Sequence, residues 1–251
     1  MDHYSSLRKL IEDDIDCHFF DSIESTSSYL TKVPYSKRTQ LCITREQTMG
    51  KGQHGRGWAS QKDGSILFSL RKCFNVDTNL NGLSLVIGMA IIKSIEEECQ
   101  LEGLKIKWPN DVYYGNNKLA GILMENNIHK GAQYVVIGVG VNYQLDQKIN
   151  IDIPWTDLAQ ILKKLPSFDT LTAAFIKNIL AMSKDFESEG LSNLLTDWND
   201  YDMLKGLKIR SKDSKEIFEG EVDGISEHGA LRILTTDGVK EVYSSIHIEY
   251  I

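Results

Sequence analysis

Apolar residues recur at helical spacing in four stretches of the chain. Near the N-terminus, Leu7, Leu10 and Ile11 fall on one face and predict a short helix. Residues 83–97 predict a longer helix, with a broad apolar face and glutamates towards its end. Two further helices are predicted from apolar faces made of Phe168, Leu171, Phe175, Ile179, Met182 and Phe186, and of Leu191, Leu194, Leu195 and Trp198.

Short apolar runs bounded by turn residues predict strands. They cover residues 40–44, 65–70, 105–108, 112–114, 118–125 and 133–141. The runs between residues 105 and 141 follow one another closely, with turn sequences at 115–117 and 129–131. Strands joined this tightly must be antiparallel, because parallel neighbours need a longer crossover. The pattern therefore predicts an α+β protein with a mixed, mostly antiparallel central sheet and flanking helices, and not a doubly wound α/β fold.

The pattern changes after residue 204. Short apolar runs alternate there with glycines, at Gly220, Gly224, Gly229 and Gly238. Such spacing is typical of a small β-barrel of the SH3 type. We therefore predict two domains, a catalytic domain over residues 1–204 and a small C-terminal barrel over residues 205–251.

The charge and the composition of the chain argue against several classes of function. The formal net charge is −7, which argues against non-specific binding to nucleic acid or to an anionic membrane. Residues 1–16 lack the apolar core of a signal peptide, and the longest apolar stretch, 83–92, is too short to span a bilayer. We expect a cytoplasmic protein with no membrane partner. Too few residues precede residue 17 for a helix-turn-helix, so we expect no DNA-binding module.

The four cysteines carry no metal-binding pattern. None forms a C-x-x-C pair, and none has a histidine at ligand spacing. We expect four reduced, mostly buried thiols and no metal site, from Cys17, Cys42, Cys73 and Cys99.

A glycine-rich loop at residues 50–55 formally matches G-x-G-x-x-G. A dinucleotide site needs a helix after this loop, but residues 56–64 contain two glycines and no helical period. Lys51 and Arg56 lie in the loop, and cations beside flexible glycine backbone suit a phosphate. The alternative is a surface hairpin with incidental basic residues, and the loop alone leaves both interpretations open.

A second polar cluster lies around a proline at the end of a predicted strand. Pro109 interrupts the strand, so we expect Asn110 and Asp111 to be exposed at its end. Lys118 opens the next strand, which would place its amine near that loop. The alternative is a set of turn residues closing a hairpin beside an exposed lysine, and the residues alone favour it.

Five motifs in order resemble those of biotin protein ligases. Residues 107–125 resemble the K-W-P-N-D…K-x-x-G-I-L-x-E motif of that family, and residues 50–58 resemble its G-R-G-R-x-G-R-x-W loop. Residues 25–27 look like its S-T-N, Gln47 occupies the place of its biotin-facing glutamine, and residues 138–142 are similar to its G-x-G-x-N strand. The resemblance runs from about residue 20 to the C-terminus. It implies the class II synthetase-like biotin/lipoate ligase fold, in the short form without a DNA-binding domain.

The resemblance also implies an activity. Biotin and ATP would form biotinyl-5'-AMP, and biotin would then pass to a lysine of the biotin carboxyl carrier domain of acetyl-CoA carboxylase or a related carboxylase. Mg²⁺ would bind through the nucleotide phosphates. No covalent enzyme intermediate is needed, in keeping with the absence of a G-x-S-x-G motif. We expect no specific DNA partner, and either a monomer or a weak homodimer formed through an exposed sheet edge.

Residue roles follow from the resemblance alone. Lys118 and Arg56 would be catalytic. Biotin would contact Ser25, Thr26, Ser27, Gln47, Lys51, Gly52, Gln53 and Lys118. The nucleotide would contact Gly50, Lys51, Arg56, Trp58, Asn110, Asn142 and Trp155. An exposed indole at Trp155 would stack on the adenine, the alternative being a plug on the core. Two positions depart from the family motifs, Gln53 in place of arginine and Ser27 in place of asparagine.

Two rival functions share this fold. A lipoate or octanoate ligase or transferase would lack the Trp-Pro-Asn-Asp sequence that this chain has at residues 108–111. A catalytically silent nucleotide-binding or scaffold protein would not need Lys118 and Asn110.

Overall fold

Seven strands form a central mixed sheet in the computed structural model, which describes residues 4–12, 14–212, 217–245 and 248–251. The strand order is β1-β2-β3-β7-β6-β5-β4, and only β1 and β2 run parallel. The strands are β1 Asp16–Phe20, β2 Gln40–Thr44, β3 Ser65–Asn75, β4 Leu104–Lys107, β5 Asp111–Tyr114, β6 Asn117–His129 and β7 Ala132–Asn142. The predicted mixed, mostly antiparallel sheet is confirmed.

The sheet is covered on both faces. The helices are α1 Ser5–Leu10, α2 Thr26–Lys32, α3 Leu83–Cys99, α4 Leu158–Ile161, α5 Phe168–Glu189 and α6 Ser192–Tyr201. Leu41 and Ile43 of β2 belong to the main core with α3 and α5, whereas Cys42 between them packs with Leu30 of α2. Side chains alternate between the faces of a strand, so α2 lies on the face opposite α3 and α5. Burial on both faces explains why the strands read as continuous apolar runs.

The hairpin between β6 and β7 shows why a glycine ends one predicted turn. Lys130 and Gly131 both adopt positive φ, 48° and 75°. This is the backbone of a two-residue turn whose twist matches that of the flanking strands. The register then runs without a break from His129 opposite Ala132 to Ala120 opposite Val141, which fixes the faces of both long strands.

A second, five-stranded antiparallel sheet follows α6, in the order β11-β10-β9-β8-β12. Its strands are β8 Lys208–Ser211, β9 Glu219–Ile225, β10 Leu231–Thr235, β11 Gly238–Val242 and β12 Ile248–Tyr250. The predicted short strands are confirmed. A closed barrel is not found among the described residues, because the end strands β11 and β12 do not pair with each other.

The two sheets share one hydrophobic core. Ile209, Val222, Leu231 and other apolar residues of the second sheet belong to the same buried cluster as the central sheet. At the junction, the indole N–H of Trp108 donates to the carbonyl of Gly229 over 2.9 Å. The boundary after residue 204 remains a prediction. No helix of the described residues combines the length and the apolar character that crossing a membrane requires.

Candidate active site

A cavity of about 880 Å³ lies where the central sheet, the loop at residues 50–58 and strand β12 meet. Of the residues predicted to contact ligands, all except Gly50 line it: Ser25, Thr26, Ser27, Gln47, Lys51, Gly52, Gln53, Arg56, Trp58, Asn110, Lys118, Asn142 and Trp155. Gly50 does not line the cavity, but its carbonyl accepts the N–H of the lining residue Trp58 over 2.9 Å. Residues from distant parts of the sequence thus come together at one site.

One part of the cavity wall carries a cluster of small polar side chains. Gln47 accepts through Oε1 from the backbone N–H of Thr26 over 2.8 Å and from its hydroxyl over 3.0 Å. The Thr26 hydroxyl also lies 2.8 Å from that of Ser69 on β3, and the Ser25 and Ser27 hydroxyls lie 3.2 Å apart. Sequence reasoning missed Ser69, whose signal was a polar residue within an apolar strand. These bonds fix the orientation of the cluster before any ligand arrives.

The glycine-rich loop forms a short hairpin on the rim. Lys51 and Gly57 form an antiparallel bridge, and Gly52 donates to the carbonyl of Arg56 over 2.8 Å. No helix follows, which confirms that the loop is not a dinucleotide-binding turn. The hairpin interpretation and the phosphate interpretation are compatible, because the exposed cations Lys51 and Arg56 line the cavity from the hairpin.

The last residue of this loop packs against two glycines. A Cβ atom at Gly121 would lie 2.8 Å from a ring carbon of Trp58, and one at Gly140 would lie 2.6 Å away. Side chains other than hydrogen therefore cannot stand beneath the indole. The indole N–H of Trp58 is buried without an acceptor among the described residues. Trp58, Gly121 and Gly140 form a flat apolar part of the cavity wall.

Lys118 is held in place through both its backbone and its amine. The amine lies 2.7 Å from Oδ1 of Asp111, and both side chains are about one-fifth exposed or less, 17% and 21%. The backbone N–H donates to Pro154 over 3.0 Å, and the carbonyl accepts from Thr156 over 3.0 Å. These bonds place the segment that carries Trp155 alongside the start of β6. The expectation that Lys118 lies close to the Asn110–Asp111 loop is confirmed.

Asn110 does not lie exposed at the strand end as predicted. Its side chain is buried, and its amide donates to the carbonyl of Ile122 over 2.6 Å, while Ile122 donates back to its carbonyl over 3.0 Å. The turn after Pro109 directs the residue beneath β6 and not into solvent. Asp111, next to it, begins β5 and is only partly buried.

Asn142 and Trp155 both line the cavity, but they differ in burial and in their contacts. Asn142 is buried, and its amide donates to the carbonyls of Lys118 over 3.3 Å and Thr156 over 3.0 Å. These two hydrogen bonds therefore hold the segment that carries Trp155 against β6. Trp155 itself is half-buried. A partly exposed indole in a cavity wall fits stacking on a purine better than it fits a plug on the core.

Lys107 is a cavity residue to which sequence reasoning assigned no role. Its amine lies 5.4 Å from the ring centre of Tyr113 and 4.9 Å from that of Tyr250 on β12. Burial lowers the pKa of Lys107, the nearby carboxylate of Asp111 opposes that effect, and the charge of Lys118 adds to it. Burial raises the pKa of both tyrosines to about 12, so their rings stay neutral. Tyr250 could not be found from sequence, because only the fold brings it to β4.

The cavity is locally basic although the chain is acidic overall. The charged side chains that line it are Lys51, Arg56, Lys107, Lys118 and Lys212, against Asp111, Asp152 and Glu249. An excess of cations on a concave surface attracts anionic ligands. The described residues contain no group of three or more His, Cys, Asp or Glu side chains placed to hold a metal ion.

Comparison with known proteins agrees with this arrangement. The Biotin/lipoate A/B protein ligase family matches residues 19–142. The bifunctional ligase/repressor BirA of Escherichia coli (strain K12) is 33% identical over 224 residues, which cover 86% of this chain and 68% of that protein. The biotin--[acetyl-CoA-carboxylase] ligase of Mycobacterium tuberculosis is 29% identical over 175 residues, which cover 68% of this chain and 63% of that protein.

A solved structure extends the similarity over nearly the whole chain. The biotin protein ligase from Aquifex aeolicus, in complex with biotin and ATP, superposes with a TM-score of 0.79 at 26% identity. The match covers 94% of this chain and 98% of that one. The chain therefore belongs to the biotin/lipoate A/B protein ligase family, and its place within that family is among the biotin–protein ligases.

Proposed function

We propose that this chain condenses biotin with ATP to give biotinyl-5'-AMP and then transfers biotin to a specific lysine of a biotin carboxyl carrier domain, in the cytoplasm. One observation carries the proposal: thirteen of the fourteen residues assigned to ligands line a single cavity, which also has an excess of cations. The biotin and ATP held by the Aquifex aeolicus structure support the choice of ligands. The name of the Mycobacterium tuberculosis relative supports acetyl-CoA carboxylase as the acceptor.

The two chemical halves of biotin match two parts of the cavity. The polar ureido ring needs a few placed donors and acceptors, which Ser25, Ser27, Gln47 and their neighbours supply from a pre-ordered cluster. The apolar remainder needs a flat wall, which Trp58 supplies over its two glycines. An apolar pocket with a small number of fixed polar groups is the usual architecture of a small-molecule site.

The first step joins biotin to the α-phosphate of ATP. A carboxylate oxygen of biotin forms a bond to the α-phosphorus, and the bond from that phosphorus to the oxygen of the leaving pyrophosphate breaks. Negative charge develops around the phosphorus, and the fixed ammonium of Lys118 is placed to stabilise it. Arg56 and Lys51 approach from the hairpin, while Asn142 and Trp155 serve the adenine side. Mg²⁺ would bind through the phosphates and neutralise part of their charge, since no cluster of carboxylates that could hold a metal ion is found among the described residues.

The second step forms the new amide. The neutral amine of the acceptor lysine attacks the acyl carbon of biotinyl-AMP, the bond to AMP breaks with its electron pair, and the amine proton passes to water. The enzyme needs no nucleophile of its own, so positioning and electrostatic stabilisation carry the reaction.

Thermal unfolding with candidate ligands tests the assignment. Biotin at one hundred times its dissociation constant should add about 2.7 kcal/mol to the free energy of unfolding, whereas lipoate should add nothing. Biotin with ATP should then give a mass increase of one biotinyl group on a carrier domain of acetyl-CoA carboxylase. Stabilisation by lipoate and not biotin would assign a lipoate ligase, and binding of ATP without any transfer would assign a silent nucleotide-binding protein.

A further inference from the structure

Lys107 has an amine in the cavity wall that no step above requires. The residue ends strand β4 and lies opposite Asp111 in the register with β5. Its amine has no ion pair or hydrogen bond with another described residue, and it lies over the ring faces of Tyr113 and Tyr250. A half-buried cation that forms no ion pair costs free energy, because the nearby carboxylate of Asp111 only partly offsets the loss of water.

A second lysine on the same strand, Lys105, has a structural role and serves as a comparison. Lys105 lies two positions earlier on the same face of β4 and donates its amine to the backbone carbonyl of Asp200. Lys105 does not line the cavity, whereas Lys107 does. The strand thus presents one lysine whose amine has a protein acceptor and one whose amine faces ligand space.

Lys118 and Lys107 both lie near Asp111, but only Lys118 forms an ion pair with it. Asp111 forms its ion pair with Lys118 at 2.7 Å, and it acts on Lys107 only as a nearby charge that partly offsets the effect of burial. The two aromatic rings hold the Lys107 ammonium through their electron-rich faces without neutralising it. A cation that is positioned but not neutralised is suited to a strongly anionic part of a ligand.

We propose that Lys107 is a second phosphate-binding catalytic residue, which contacts the β- and γ-phosphates of ATP and stabilises pyrophosphate as it leaves. The inference rests on the proposed function. When the bond from the α-phosphorus to its bridging oxygen breaks, the electron pair stays on that oxygen, and the leaving pyrophosphate gains the negative charge. Lys118 serves the α-phosphate and Lys107 serves the leaving group. Biotinyl-AMP no longer carries those phosphates, so Lys107 has no part in the transfer step.

The two half-reactions separate this role from a structural one. The variants are Lys107→Met, which removes the charge, Lys107→Arg, which keeps it, and Lys105→Met as the matched control. The first measurement is biotin-dependent exchange of radiolabelled pyrophosphate into ATP, with the KM for ATP and for pyrophosphate. The second is transfer of biotin from preformed biotinyl-AMP to the carrier domain of acetyl-CoA carboxylase.

We expect Lys107→Met to lower pyrophosphate exchange by about 10²-fold, the typical effect of losing one fixed donor, and to raise the KM for pyrophosphate. Transfer from preformed biotinyl-AMP should stay within about twofold of wild type, a loss too small to reflect a donor removed from that step. Lys107→Arg should recover most of the exchange, and Lys105→Met should match wild type in both assays. If Lys107→Met does not fold, Lys107→Gln replaces it under the same criteria.

Exchange by Lys107→Met at the wild-type rate would overturn the inference, and so would an equal loss in both half-reactions, since that is the mark of a structural residue. A wild-type protein without biotin-dependent exchange would overturn the proposed function itself. The failure of the inference and the failure of the function therefore give different results.

Discussion

The amine of Lys118 lies 2.7 Å from the Oδ1 atom of Asp111, with both side chains largely buried in the cavity wall. The carboxylate fixes where the ammonium stands before a ligand enters. The backbone of Lys118 is fixed as well, by its bonds to Pro154 and Thr156. A charge that is already oriented needs little rearrangement when negative charge develops beside it, which is the condition for efficient electrostatic catalysis.

Removing this charge should stop the first half-reaction. We expect Lys118→Ala to lower biotin-dependent pyrophosphate exchange by at least ~10²–10³-fold, because a preorganised donor is lost. Lys184→Ala, which removes an exposed lysine on α5, should leave the rate unchanged. Circular dichroism should show the same secondary structure in both variants. Exchange by Lys118→Ala within tenfold of wild type would contradict the assignment of Lys118, since it falls short of the loss expected for such a donor.

Gly140→Ala tests the packing of Trp58. A Cβ atom there would stand 2.6 Å from the indole, so the ring has to leave its place or the strand has to shift. Overpacking of this kind costs ~1–3 kcal/mol, and we expect a lower unfolding midpoint together with weaker biotin binding. Gly138→Ala is the control for stability, because its Cβ would meet Leu123 at 3.5 Å, an ordinary contact. Equal midpoints for the two variants would show that Trp58 does not depend on the glycine.

The sequence predicted the sheet well because both of its faces are covered. Long apolar runs such as β3 and β7 leave no other place for their side chains. Strand β1 and helix α2 were not predicted, because β1 is partly exposed throughout and α2 consists largely of polar residues. Their positions depend on contacts with distant strands, such as the bonds from Thr26 to Gln47 and Ser69.

Only part of the candidate site could be predicted, because a local sequence pattern reveals some of its residues and not others. Motif residues could be named because they lie in short patterns, and Lys118 and Asp111 do meet. The partners of those residues could not be named. Ser69, Tyr113 and Tyr250 reach the cavity through strand pairing and through the junction of the two sheets, which no local pattern encodes.

Removal of residues 205–251 should lower both the stability and the activity of the enzyme. Apolar residues of the second sheet belong to the common core, and Tyr250 stands beside Lys107. We expect the truncated chain to unfold at a lower temperature and to lose pyrophosphate exchange. Trp108→Phe should give a milder effect, because it leaves the buried carbonyl of Gly229 without its donor at a cost of ~1–3 kcal/mol. A soluble truncated chain that transfers biotin at the normal rate would show that the second sheet is dispensable.

The protonation of Lys107 should appear in the pH dependence of ATP binding. Burial lowers its pKa, and the groups that face it are Asp111 and Tyr113 on β5, Lys118 on β6 and Tyr250 on β12. Its ammonium therefore loses its proton at a lower pH than an ordinary lysine. We expect the KM for ATP to rise with pH in the alkaline range for wild type. Lys107→Arg should lack this rise, because a guanidinium stays charged. The same profile in both proteins would assign the effect to another group.

The same pKa has a consequence for stability. Because the folded pKa lies below the unfolded one, the unfolded chain binds more protons between the two values, and the free energy of unfolding rises with pH there. At neutral pH the buried ammonium is a cost, so Lys107→Met should be at least as stable as wild type. A large drop in its unfolding midpoint would indicate that the contacts with the two tyrosines outweigh that cost.

Gln53 offers a test of how the intermediate is retained. It stands where the family loop carries arginine, begins the tight turn of the hairpin and accepts the N–H of Arg56 through its backbone carbonyl over 3.1 Å. Because that bond uses only the backbone, Gln53→Arg should leave the turn intact. A hydrogen bond from a charged donor is worth ~1.5–3 kcal/mol, against ~0.5–1.5 kcal/mol for a neutral one. A difference of about 1 kcal/mol corresponds to a several-fold change in affinity. We therefore expect preformed biotinyl-AMP to dissociate several-fold more slowly from Gln53→Arg than from wild type, as followed by chase with unlabelled biotinyl-AMP. Lys51 and Arg56 lie on the same hairpin and reduce the effect if they already contact the phosphate. Equal dissociation rates, or faster release from the arginine variant, would show that residue 53 does not hold the intermediate in this enzyme.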